Sequence, residues 1–161
     1  MQFDPESVTT EEIRNEASYT GIRVKLEGRL GQQRCPVQID IGYGDAVTPG
    51  AETAEYPVLL ENLPAPVLRV YPRYTVVAEK LEAIITLGLV NTRMKDYFDL
   101  WVLSEHESFD YETLVTAIRA TLRNRQTQMP SRTPLGLSDE FSANPEKRRQ
   151  WAAFLRKNRL I

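Results

Sequence analysis

The alternation of apolar and polar positions is clearest between residues 22 and 41. Ile22, Val24, Leu26 and Leu30 alternate with Arg23, Lys25, Glu27 and Arg29; further on, Val37, Ile39 and Ile41 alternate with Gln38 and Asp40. A period of two sends successive side chains to opposite faces, so each run predicts a strand with one apolar and one wet face. Gly31-Gln32 between them suits a type II′ hairpin turn, where glycine takes the positive φ of the first corner. That turn sets Ile22 opposite Ile41, Val24 opposite Ile39 and Leu26 opposite Val37, with Arg23 facing Asp40 on the other side. A slip of one residue would mix the faces, so the register is well specified.

Elsewhere the pattern changes. Upstream, Asp4-Pro5-Glu6-Ser7 reads as a turn, and residues 8–13 (VTTEEI) read as a short helix capped by Thr9 or Thr10 with acids in its first turn. Residues 42–66 form a Gly/Pro-rich connection with an apolar patch at Val58-Leu59-Leu60. Residues 67–71 read as a further strand, stopped by Pro72. From Tyr74 the apolar stripe Val77, Leu81, Ile84, Ile85 has helical spacing, and Gly88 lies near the helix end. A helix over about 92–104 is expected to bury Met94, Phe98, Trp101 and Val102, and one over about 111–125 carries Leu114, Val115, Ile118 and Leu122. A Pro/Ser-rich linker precedes a basic last helix with Trp151, Phe154 and Leu155. Strands come first and helices after, which is the α+β class. The expected division is a sheet domain over 1–72 and a helical domain over 73–161 with a basic C-terminal segment.

Composition narrows the chemistry. With 161 residues, 42% hydrophobic and 26% charged, the chain has material for one real core. The single cysteine, Cys35, rules out an internal disulfide and a Cys-rich zinc site, and the single histidine, His106, argues against a His-based metal site or a Ser/His/Asp triad. No apolar run reaches the length of a membrane span and the N-terminus is acidic rather than signal-like, so a cytoplasmic protein with no membrane partner is expected. The net charge of −2 hides an imbalance: residues 1–118 sum to −9 and residues 119–161 to +7. The basic end either contacts nucleic acid or folds back on the acidic body. Arg119, Arg123, Arg125, Lys147, Arg148, Arg149, Arg156, Lys157 and Arg159 are the candidates for such a surface.

Three groups of residues could carry chemistry. Asp40 sits mid-strand, where Asp has poor β propensity, and is followed by Gly42-Tyr43-Gly44-Asp45. It is either a cross-strand partner of Arg23 or a carboxylate held out to a divalent metal. Lys80 lies at the edge of a helical apolar stripe. It is a lysine snorkelling beside the core, an exposed partner for a glutamate, or a point charge for a phosphate. Arg93, Asp96 and Asp99 step by three along one helix row, with Arg93–Asp96 a natural ion pair. They form either a structural lock or part of a substrate site. No Gly-rich phosphate loop, HExxH or GxSxG is present.

Two strings, VQIDIGYGD (37–45) and YPRYTVVAEKLEAIITLGLVNTRMKDYFDLW (71–101), resemble the later motifs of the AbiE-type abortive-infection nucleotidyltransferase toxins, members of the polymerase-β-like superfamily. The resemblance implies a partial polymerase-β-like sheet, an antiparallel hairpin plus a further strand, followed by helices. It makes Asp40 the third catalytic, magnesium-binding carboxylate. Lys80 and Arg93 would bind the nucleotide's phosphates, and Asp96 and Asp99 would belong to the helical motif closing the cleft. It also implies a nucleoside triphosphate donor, an RNA acceptor such as transfer RNA, and a cognate antitoxin.

The family's first motif, a Gly-Ser turn leading to an Asp-x-Asp strand, has no counterpart in residues 1–39, so the magnesium site is expected to be incomplete and the sequence to match the later part of a family member. Two readings follow. One is a nucleotidyltransferase toxin whose isolated chain is inactive because one aspartate cannot hold two magnesium ions. The other is a truncated or diverged homologue acting as a binding or regulatory module. A shared site further requires Lys80 to point toward the Asp40 side of the sheet.

Overall fold

The computed structural model describes residues 1–14 and 20–160 and divides the chain into two compact units, Met1–Asp45 and Ala46–Ile161. The division falls earlier than residue 72, which instead immediately precedes the first helix.

The first unit is a three-stranded antiparallel sheet in the order β1-β2-β3, with β1 Gln2–Arg14, β2 Thr20–Leu30 and β3 Gln33–Gly42. The β2–β3 register pairs Ile22 with Ile41, Val24 with Ile39, Leu26 with Val37 and Arg23 with Asp40, as the alternation dictates. Gly31 takes φ 61 at the turn, and Gln32 needs no positive φ, which fits a type II′ corner. Strand alternation leaves Asp40 on the face opposite Ile39 and Ile41.

The segment expected as a short helix is strand instead: β1 pairs with β2 from Thr9 to Arg14, after a register shift between Asp4 and Thr9. Thr9 and Glu12 have the spacing of a helix cap, but Val8, Thr9, Thr10 and Ile13 are β-branched, and the open edge of β2 offers them a full ladder. Pro5 falls in the irregular stretch, where no ladder donor is required. There the Ser7 hydroxyl donates to the Asp4 carbonyl at 2.6 Å and accepts the Glu27 N–H at 2.8 Å.

The second unit opens with a two-stranded antiparallel ribbon, β4 Glu52–Glu55 and β5 Val67–Val70. The further strand expected at 67–71 thus lies in a sheet of its own, and its partner β4 carries too little apolar pattern to announce itself. Five helices follow: α1 Arg73–Leu87, α2 Met94–His106, α3 Tyr111–Asn124, α4 Asp139–Ala143 and α5 Pro145–Lys157. Asp110 caps α3 by accepting the Thr113 N–H, and Asn144 caps α5 by accepting the N–H groups of Glu146 and Lys147, with Pro145 in the first turn.

The core of this unit is built from Ala78, Ala83, Ile84, Met94, Ala117, Leu122 and Phe141. A 3-10 turn at Leu135–Leu137 presses on α1, and a Cβ on Gly136 would stand 2.7 Å from the Ile84 carbonyl oxygen. Only glycine fits there. Trp101, expected in the core, is 56% exposed. It ends a chain of neighbouring rings that runs through Phe98 and Phe154 to Trp151. The residues of α2 that are fully buried are Met94 and Asp96.

Candidate functional site

Asp40 belongs to the first unit and is exposed. Its two oxygens accept from the Arg23 guanidinium, Nε at 2.7 Å and Nη2 at 2.9 Å, a bidentate pair across adjacent strands. These hydrogen bonds hold the Asp40 carboxyl below its ordinary value against the opposing effect of desolvation. Glu11 of β1 joins the same face, 2.8 Å from Lys25 and 3.6 Å from Arg23. Among the described residues no group of three or more His, Cys, Asp or Glu side chains is placed to hold a metal ion. A magnesium ion requires near-octahedral oxygen ligands, and a single carboxylate already clamped by a guanidinium does not fit it.

Lys80, Arg93, Asp96 and Asp99 come together in the second unit. Lys80 projects from α1 between two acids of α2, with Nζ 2.6 Å from Asp96 Oδ1 and 2.7 Å from Asp99 Oδ2. Asp96 is buried and Lys80 is 15% exposed at its side chain. Arg93, just before α2, brings Nε to 2.6 Å from Asp96 Oδ2, a close charge contact without hydrogen-bond alignment. Lys95, not anticipated, reaches Asp99 at 2.5 Å. Three cations therefore share two carboxylates.

Burial alone would pull the Lys80 ammonium down, but the hydrogen bonds and charges of Asp96 and Asp99 outweigh it, and its pKa ends raised. For Asp99 burial pushes upward, and Lys80 and Lys95 overcome it, so this carboxyl ends lowered. Lys80 and Asp99 thus face each other as a charged pair at neutral pH. Asp96 is sealed inside the cluster, while the side chain of Arg93 remains 57% exposed.

Two further buried groups escape sequence reading. Glu82, two residues past Lys80, is buried and accepts from Arg125 at 3.1 Å and from the hydroxyls of Thr86 and Thr127 at 2.7 Å each. A glutamate between Leu81 and Ala83 in an apolar stripe is the signal that could have revealed it. Lys147 is also buried, donating to the Asn91 carbonyl at 2.8 Å and to Gln150 at 3.0 Å. This corrects the idea of a nine-residue basic surface. Lys147 and Arg125 tie helices together, Arg148 donates to the Ser142 carbonyl and Arg149 pairs with Glu146. Arg119, Arg123, Arg148, Arg149, Arg156, Lys157 and Arg159 stay exposed.

The family model described as nucleotidyl transferase AbiEii toxin of the type IV toxin–antitoxin system matches residues 2–160. The chain belongs to this family. No curated protein and no solved structure matches it significantly. As an AbiEii toxin the chain comes from a two-component system, which implies an antitoxin partner and a nucleotide substrate. The AbiEii match spans both the strand bearing Asp40 and the helices bearing Lys80 and Arg93. Among its described residues, no helix is long and apolar enough to cross a membrane.

Proposed function

We propose that this AbiEii-family chain binds a nucleoside triphosphate for transfer of its nucleotide to an RNA acceptor, transfer RNA being one such acceptor, in the cytoplasm and under control of its antitoxin. The observation that carries this reading is the cationic surplus at α2. Lys80 is held charged and in place by Asp96 and Asp99, and the Arg93 fork stands beside it in solvent. Nucleotidyl transfer depends on positioning and on neutralising the triphosphate's charge. A fixed ammonium supplies a point charge, and an exposed guanidinium can grip two phosphate oxygens at once. Magnesium is the family's expected cofactor. Asp40 is clamped by Arg23, and among the described residues no group of three or more His, Cys, Asp or Glu side chains is placed to hold that ion.

That same clamp favours a second reading, a nucleotide-binding or regulatory module without transfer activity. One experiment separates them. The protein is titrated with each nucleoside triphosphate, then incubated with labelled triphosphates, magnesium and total RNA, alongside Lys80→Ala and Arg93→Ala. Binding that falls about tenfold or more in both variants, with label entering RNA, supports the toxin reading. Binding without incorporation supports the module, and absence of triphosphate binding refutes both.

A further inference from the structure

Beside the start of α2, a shallow groove of about 400 Å³ runs along α5 within the second unit. Its base is apolar, formed in part by Ala153 and Phe154, and its rim carries Arg93, Lys95 and Lys157. No carboxylate is among the residues that line it. Phe154 is braced by Phe98 at 5.8 Å and by Trp151 at 5.7 Å between ring centroids, so its ring is held in place by two neighbours. Lys157 is exposed in the last turn of α5. A basic rim around an aromatic floor is the chemistry that recognises a single nucleic-acid strand: cations follow the phosphates, and a ring stacks on a base that duplex pairing would hide.

We infer that this groove seats a single-stranded stretch of the RNA acceptor, with Lys95 and Lys157 against backbone phosphates and Phe154 beneath a base. The identity of the ligand rests on the function proposed above; the location rests on the groove itself. Arg93 belongs both to the groove and to the Lys80 cluster, so a strand lying here ends beside the site assigned to the triphosphate. Binding through rim cations and a stacked ring is tolerant of sequence and sensitive to salt.

The test is a fluorescence-anisotropy titration of the whole chain with a labelled single-stranded oligoribonucleotide of mixed sequence, repeated at increasing salt. Lys157→Glu reverses a rim charge, and Ala153→Glu places an acid on the floor at an exposed helix position, where folding tolerates it. Each is expected to weaken RNA binding about tenfold, and Lys157→Glu to lower the salt slope by about one. Triphosphate affinity, which depends on Lys80, should stay at the wild-type value and shows that the variants are folded. RNA affinity unchanged in both variants overturns the groove while leaving the function standing. Triphosphate binding with no RNA binding even at low salt overturns the groove together with the RNA acceptor. Equal binding of a duplex of the same sequence, weakened to the same degree, overturns the role of Phe154.

Discussion

The two units hold their charges in opposite ways. In the first, Arg23, Asp40, Glu11 and Lys25 lie on the wet face of a three-stranded sheet, where water and salt compete for every partner. In the second, Lys80 and Asp96 are withdrawn from solvent between two helices, and an unpaired charge there has nowhere to go. Both sites were legible as the same pattern, an acid with a base within reach. Their environments decide that the sheet pair is replaceable and the helix cluster is not.

The largest effect expected from breaking this contrast is at Asp96. Asp96→Ala leaves Lys80 with Asp99 alone, and loss of one partner from a buried cluster should destabilise the protein by about 2–3 kcal/mol, less than for a fully sealed pair because Asp99 remains. Urea unfolding measures it, and a change inside error would mean the cluster is wet. Next comes Gly136→Ala, whose added methyl meets the Ile84 backbone. Overpacking at that contact should lower stability by about 2 kcal/mol in the same assay.

A pH series sharpens the comparison further. The Asp99 carboxyl is lowered in the folded chain from an ordinary 3.8, so its contribution is present above that value and disappears as pH falls through the folded pKa. Lys80 is raised from 10.5, so its contribution is complete below that value and is lost as pH rises through the folded pKa. Helix stability should therefore hold level between these limits, and Asp99→Asn should lessen the acid-side decline, to which the lowered carboxyls of Asp110 and Glu146 also contribute. The smallest effect belongs to Asp40. Asp40→Ala should leave the urea midpoint of the whole chain unchanged; a clear drop would show that the sheet pair is stabilising after all.

How much of this could be read from the residues depends on the range of the interaction. The β2–β3 pairing was legible because a period of two and a glycine turn fix register within twenty residues of chain. The β1 strand was not, since the Thr-Thr-Glu-Glu segment satisfies the local rules of a helix start and only the free edge of β2 overrules them. Lys80, Arg93, Asp96 and Asp99 were legible as a row on α2 and an edge on α1, although their meeting needed the packing of the two helices. Lys147 was hidden: it carries the same charge as its exposed neighbours Arg148 and Arg149, and its partner Asn91 stands 56 residues away. Glu82 was hidden for the same reason, with Arg125 and Thr127 supplied from beyond α3.

The sharing of one ammonium between two carboxylates also sets a proton count. A phosphate seated at Lys80 would draw that ammonium's field away from Asp99, and the carboxyl would regain affinity for the proton it normally refuses. Nucleotide binding at Lys80 then takes up a fraction of a proton at this carboxyl as the pH falls to its ordinary value of 3.8. Calorimetry in buffers of different ionisation enthalpy would register this uptake as a heat of binding that varies with the buffer. The same titration on Asp99→Asn would lose the part of that buffer dependence that comes from the carboxyl.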